Sequence, residues 1–236
     1  SDGQRQRIML ARAICQEPEI IVLDEPTAYL DIRHKIELLD ILREMAQKKD
    51  IIVIMSLHEI DLAMKISDYL LCVKGDTIEA FGPPEVILEN RTIEHLYDLS
   101  NGSYNLLFGS IELTKPKGAP RVFVVAGGGY GISFYRALQK REVPFATGIL
   151  FENDVDCQVA TELSNHVVAA PAFEAMTDEH FGKASSLLLQ CEAVIDAGTP
   201  AGSFNRLNLK LLELAENNSI PIHCGKSAAE AHSWNT

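Results

Sequence analysis

The stretch IIVLDEPTAYLD, residues 20–31, decides the fold of the first part of the chain. Four apolar residues run straight into Asp24 and Glu25, and Pro26 follows. The run predicts a short buried strand over 20–24, with the proline ending it. Both carboxylates then sit at the C-terminal edge of a sheet, which is where open α/β sheets bind ligands. Neighbouring residues on a strand point to opposite faces, so one carboxylate can serve a metal while the other serves a water. Magnesium prefers hard oxygen ligands and usually takes only one or two from the protein. A general base must lie within hydrogen-bond reach of the proton it takes. Asp24 and Glu25 fit that division, and an Asp-Glu pair at the start of a loop also fits plain solvation.

The flanking sequence narrows the choice. A helix is predicted over 5–16, with Ile8, Ala11, Ile14 and Cys15 at helical spacing and Ser1 and Asp2 as cap candidates. The chain has no initial Met and enters this helix within a few residues, so it reads as a piece of a longer protein. Residues 31–49 form an amphipathic pattern with Ile36, Leu39, Leu42 and Met45 on one face. DIIVIMSL (50–57) predicts a second buried strand, and His58 stands at its end, the position matching the carboxylate pair. A helix over 59–68, with Leu62, Ala63 and Ile66 inward, a hairpin over 69–82 turning at KGDT and two short helices complete a unit ending at 98.

Residues 99–120 are rich in turn formers and close on Lys-Pro-Lys-Gly-Ala-Pro, which predicts a linker. Strands are then expected at 121–126, 145–151, 166–170, 193–197 and 220–224, with helices at about 131–141, 155–164, 177–190 and 203–217. Such alternation implies βαβ units and a parallel sheet.

Composition excludes several classes. Acidic residues outnumber basic ones 33 to 21, for a net charge of −12, which argues against nucleic-acid binding. No apolar run approaches the ~18 residues of a membrane span. The five cysteines are scattered and show no C-x-x-C pair, as expected of reduced thiols.

The motifs of residues 1–98 together resemble the C-terminal half of the ATP-binding subunit of an ABC transporter. SDGQRQR resembles the family's signature motif, usually Leu-Ser-Gly-Gly-Gln; IIVLDE resembles its Walker B strand; AYLD resembles its D-loop; and His58 falls at the switch histidine. Asp2 in place of a glycine resembles importers of iron chelates, haem and cobalamin. The resemblance implies a fold and a set of roles. The fold is α/β: a partial P-loop NTPase domain followed by a Rossmann-like parallel-sheet domain. Asp24 would hold Mg²⁺ through water, Glu25 would polarise the attacking water, and His58 would contact the γ-phosphate. Ser1, Gly3 and Gln4 would meet ATP held by a second subunit, and Asp31 would lie at that seam. Implied partners are a second copy and transmembrane permease subunits, at the cytoplasmic face of the cell membrane.

No G-x-x-x-x-G-K-[ST] phosphate loop occurs; GKS at 225–227 has Ile220 where the motif needs glycine. The chain by itself is therefore expected to be inactive as an ATPase. In the second half, VFVVAGGGYGISF places Gly127, Gly128, Gly129 and Gly131 between a strand and a helix. The strict G-x-G-x-x-G fingerprint fails in every frame, and the cluster reads either as a ligand loop or as a tight turn. Glu152 and Asp154 lie near where a ribose-binding acid would fall, while Asp154 or Asp156 would equally cap the next helix. A ligand-sensing role is favoured for residues 121–236; an enzyme acting on an imported compound, or a non-catalytic interaction domain, is the alternative.

Overall fold

The computed structural model describes residues 2–87, 92–99, 102–105 and 109–225. The chain divides into two compact units, one of Ser1–Ser100 with 106–109, the other of Asn101–Asn105 with Ser110–Thr236.

The first unit runs α1 (Asp2–Ile14), β1 (Ile20–Leu23), α2 (Ile32–Lys49), β2 (Ile52–Met55), α3 (Ile60–Ile66), β3 (Leu70–Lys74), β4 (Thr77–Gly82), α4 (Pro84–Ile87) and α5 (Thr92–Leu96). Strands β1 and β2 pair in parallel, with Ile20 opposite Ile52 and Leu23 opposite Met55. Strands β3 and β4 form the expected hairpin. Leu10, Leu30, Leu38 and Leu42 make a small core, with Leu23, Val53 and Met55 against it. On α2 the buried stripe is Leu38, Leu39, Leu42 and Met45, while Ile36 faces solvent. The 3.6-residue turn thus places Leu38, rather than Ile36, beside Leu42 and Met45. On α3 the three residues expected inward are only half-buried.

The two central strands depart from the expectation of full burial. Ile21 is buried, but Ile20, Val22, Ile52 and Ile54 are each more than half exposed. Continuous apolar runs predict strands covered on both faces. Among the described residues one face of this pair is packed and the other is bare.

The second unit runs β5 (Gly102–Asn105), β6 (Ser110–Leu113), β7 (Val122–Val125), α6 (Ile132–Lys140), β8 (Phe145–Phe151), α7 (Val155–Leu163), β9 (His166–Ala170), α8 (Asp178–Leu188), β10 (Ala193–Asp196), α9 (Leu207–Asn217) and β11 (Ile222–Cys224). Its sheet has the order β11-β10-β7-β8-β9, with every neighbouring pair parallel. Consecutive strands run outward from β7 on one side and then cross to the other, as in doubly wound folds, so the switch point lies between β7 and β10. Each face of the sheet carries a core. One is built on Phe123, Val168, Leu188, Val194 and Leu211, the other on Val124, Phe134, Tyr135, Phe145 and Leu163.

Within the stretch expected as a linker, β5 and β6 form an antiparallel hairpin that belongs to the second unit. Ser103 donates to Glu162 at 2.7 Å, and Arg136 forms a two-pronged pair with the buried Glu112 at 2.7 and 3.0 Å. The inward positions include Asn105 and Glu112, so the hairpin lacks the apolar alternation that marks a strand.

Candidate functional site

The end of the β1–β2 ladder gathers the first set of candidate residues. The Ser56 amide donates to the Leu23 carbonyl at 3.1 Å, extending the ladder by one bond. The Ser56 hydroxyl then accepts from the Glu25 amide at 2.8 Å and donates to Asp24 Oδ1 at 2.7 Å. His58 Nε2 lies 2.8 Å from Glu25 Oε1. Asp24, Glu25 and His58, separated by up to 34 positions in sequence, therefore meet at one strand edge. Glu25 has φ +44° immediately before Pro26, and Tyr29, 91% exposed, has φ +61°. Non-glycine residues seldom adopt such backbone, and such strain clusters at functional sites.

The loop is fixed from behind. Thr27, almost wholly buried, donates to Glu59 Oε2 at 3.0 Å, and Lys35 pairs with the other oxygen of Glu59. The Lys35 hydrogen bond draws the Glu59 carboxyl below its ordinary range, assisted by Thr27. The hydrogen bond to Glu25, then the attraction of its charge, raises the His58 imidazole above its usual value. Asp31 caps α2, accepting from the His34 amide at 2.9 Å. Gly3 and Gln4 lie in the first turn of α1, and Ser1 lies outside the described residues.

Sequence reasoning missed Ser56, Thr27, Lys35 and Glu59. Ser56 carries no pattern of its own; its place opposite Asp24 follows only from the strand register. Among the described residues no three His, Cys, Asp or Glu side chains converge as a metal cage. Asp24 and the Ser56 hydroxyl offer hard oxygens on the exposed edge, a donor set that suits a cation retaining most of its waters.

In the second unit, Gly127, Gly128 and Gly129 have φ of +153°, +64° and +88° and connect β7 to α6. The Gly128 amide donates to both oxygens of Asp154, at 3.0 and 2.8 Å. Gly129 donates to Asp156 at 3.2 Å, and Gly131 reaches both oxygens of Asp156 at 3.1 and 3.0 Å. The amides that would cradle a phosphate are thus held by the protein's own carboxylates. Asp154 also caps α7 through the Asp156 amide, the capping alternative left open by the sequence. Asp156 is fully buried, and burial pushes its carboxyl up against the opposing pull of the Gly131 amide. Gly131 is needed for packing: a Cβ there would lie 2.5 Å from the Tyr135 ring. Glu152 is exposed beyond β8. Of GKS, Lys226 and Ser227 lie outside the described residues.

The ABC transporter family model matches residues 1–28, and the MJ0874 family model matches residues 145–233. The uncharacterized ABC transporter ATP-binding protein MJ0873 of Methanocaldococcus jannaschii is 41% identical over 151 residues, 64% of this chain and 52% of that protein. The achromobactin transport ATP-binding protein CbrD of Dickeya dadantii is 39% identical over 99 residues, 42% of this chain and 37% of its own length. The cobalamin import ATP-binding protein BtuD of Halobacterium salinarum is 30% identical over 186 residues, 75% of this chain and 46% of that protein. The archaeal matches are longer than either unit, so both units share in the likeness. The chain spans about half the length, or less, of these relatives. It carries part of the ATP-binding subunit of an ABC transporter.

Proposed function

We propose that the first unit supplies the hydrolytic edge of an ATPase that drives import of a metal chelate, of the iron–siderophore, haem or cobalamin class. The observation that carries this reading is the meeting of Asp24, Glu25 and His58 at the end of two paired strands, with Ser56 fixing the first two. In this reading Asp24 holds Mg²⁺ through water, and the ion neutralises phosphate charge when bound. Glu25 orients the attacking water and accepts its proton. His58 lies beside Glu25 and holds the terminal phosphate in line, so that catalysis is mainly positioning. Ser1, Gly3 and Gln4 serve ATP bound to a second ATP-binding subunit, and Asp31 lies at that seam. Permease subunits at the cytoplasmic face of the membrane complete the assembly. The names of relatives that handle achromobactin and cobalamin support the cargo class.

The bare face of β1 and β2 fits the same reading. Four β-branched residues in register, Ile20 with Ile52 and Val22 with Ile54, make an apolar strip that a further element would cover. We assign that role to the part of such an ATPase domain that lies outside these residues; the relatives extend well beyond the matched length. The 236-residue chain alone is expected to show no ATP turnover. In a protein that carries the complete ATPase domain, Glu25→Gln should leave ATP binding intact and abolish steady-state hydrolysis. Retained hydrolysis would remove Glu25 from its role.

For the second unit, ligand binding without turnover is favoured over an enzyme. The acids nearest the glycine loop are tied to its amides, which leaves them poor candidates for proton transfer.

A further inference from the structure

The glycine loop is the expected ligand site of the second unit, yet its donors are spent on Asp154 and Asp156. A different cavity lies where α8 and α9 begin, on the loops that leave the C-terminal ends of β9 and β10. Its volume is about 580 Å³, within the range of small-molecule sites. Met176, Thr177, Asp178, Arg206, Leu207 and Lys210 line it.

The chemistry of this lining is lopsided. Arg206 and Lys210 are one helical turn apart, and their side chains have no hydrogen-bond or ion-pair partner among the described residues. The single carboxylate, Asp178, stands in the first turn of α8, where the helix dipole favours it. The Thr177 hydroxyl is occupied in capping α8 with His180. Two cations therefore face one acid in a chain whose net charge is −12. Met176 and Leu207 supply an apolar wall. Each entering loop also carries a bare aromatic: Phe173 is 97% exposed with φ +65°, and Phe204 is 74% exposed.

We propose that this cavity binds a small organic anion, a phosphate monoester or carboxylate with an apolar body, and that it is the ligand site of the second unit. Arg206 and Lys210 engage the anionic group, and Arg206 offers the forked geometry suited to carboxylate or phosphate. Met176 and Leu207 receive the apolar part, with Phe173 and Phe204 able to close over it. The proposal rests on the ligand-binding reading of this unit and is independent of the ATPase reading of the first.

Calorimetric titration of the full chain with phenyl phosphate, benzoate and benzyl alcohol tests it. Phenyl phosphate separates phosphate from carboxylate chemistry, and benzyl alcohol is the neutral control. One of the two anions should bind saturably and the alcohol should not. R206Q/K210Q should retain its melting temperature and weaken anion binding at least about tenfold, since charge-assisted hydrogen bonds carry the affinity. Absence of binding by both anions at about 10 mM, weaker than the useful millimolar range, would overturn the cavity as a site. Binding that survives R206Q/K210Q but is lost in Gly129→Val would overturn it too, returning the ligand to the glycine loop and leaving the ligand-binding reading intact.

Discussion

Glu25 is constrained in three ways at once. Its backbone is left-handed, its amide is bonded to Ser56, and its carboxylate is bonded to His58. The last bond has a pH signature. The ordinary histidine value is 6.5, and the Glu25 hydrogen bond raises it in the folded chain. The pair's contribution to stability is thus fully present below pH 6.5 and is lost as pH rises through the raised value. Both side chains are well exposed, so the effect on stability is small and the titration is the better readout. In an NMR titration of the His58 ring, Glu25→Gln should bring the midpoint down toward 6.5; an unchanged midpoint would mean that the pair does not form in solution. Asp24, Glu25 and His58 were legible because each ends an apolar run. Ser56 was not, because a serine after a strand looks like any loop residue until the register is known.

At the scale of elements, most strands and helices followed from periodicity, and the hairpin inside the expected linker did not. Burial was inferred from apolar residues, and this hairpin is organised by polar ones. The β5–β6 hairpin turns Asn105 and Glu112 inward, with Arg136 answering Glu112. Strand β8 shifts register on β9 between Thr147 and Leu150, and the backbone freed there is met by Asn208 of α9. The Ile149 amide donates to Asn208 Oδ1 at 2.8 Å, and Asn208 Nδ2 donates to the Ile149 carbonyl at 3.1 Å. Asn208→Leu leaves both backbone groups buried without partners, which should cost about 2–4 kcal/mol in urea unfolding. A loss below about 0.5 kcal/mol, the scale of surface substitutions, would show that the amide is dispensable.

At the scale of the molecule, two units of unequal completeness share one chain. The second encloses cores on both faces of a five-stranded sheet. The first packs one side of a two-stranded pair and leaves Ile20, Val22, Ile52 and Ile54 exposed. Burial of apolar area is the main stabilising contribution, so the second unit should be the more stable. Scanning calorimetry of the chain should show two transitions, and residues 101–236 expressed alone should reproduce the upper one. A single cooperative transition would contradict that division. The α/β alternation of both halves could be read from the sequence. The cation-lined cavity could not, because Arg206 and Met176 come together only through the packing of α8 and α9.

The carboxylates that fill the glycine loop have a consequence for how its hydrogens behave. A loop waiting for phosphate leaves its amides open to water, and they trade hydrogen for deuterium almost at once. Gly128, Gly129 and Gly131 are already bonded in the free chain. Their deuterium uptake should therefore be slow without any ligand, and Asp154→Ala should release Gly128 first. Fast uptake at all three in the unliganded protein would mean that the loop opens in solution and stands ready for an anion after all.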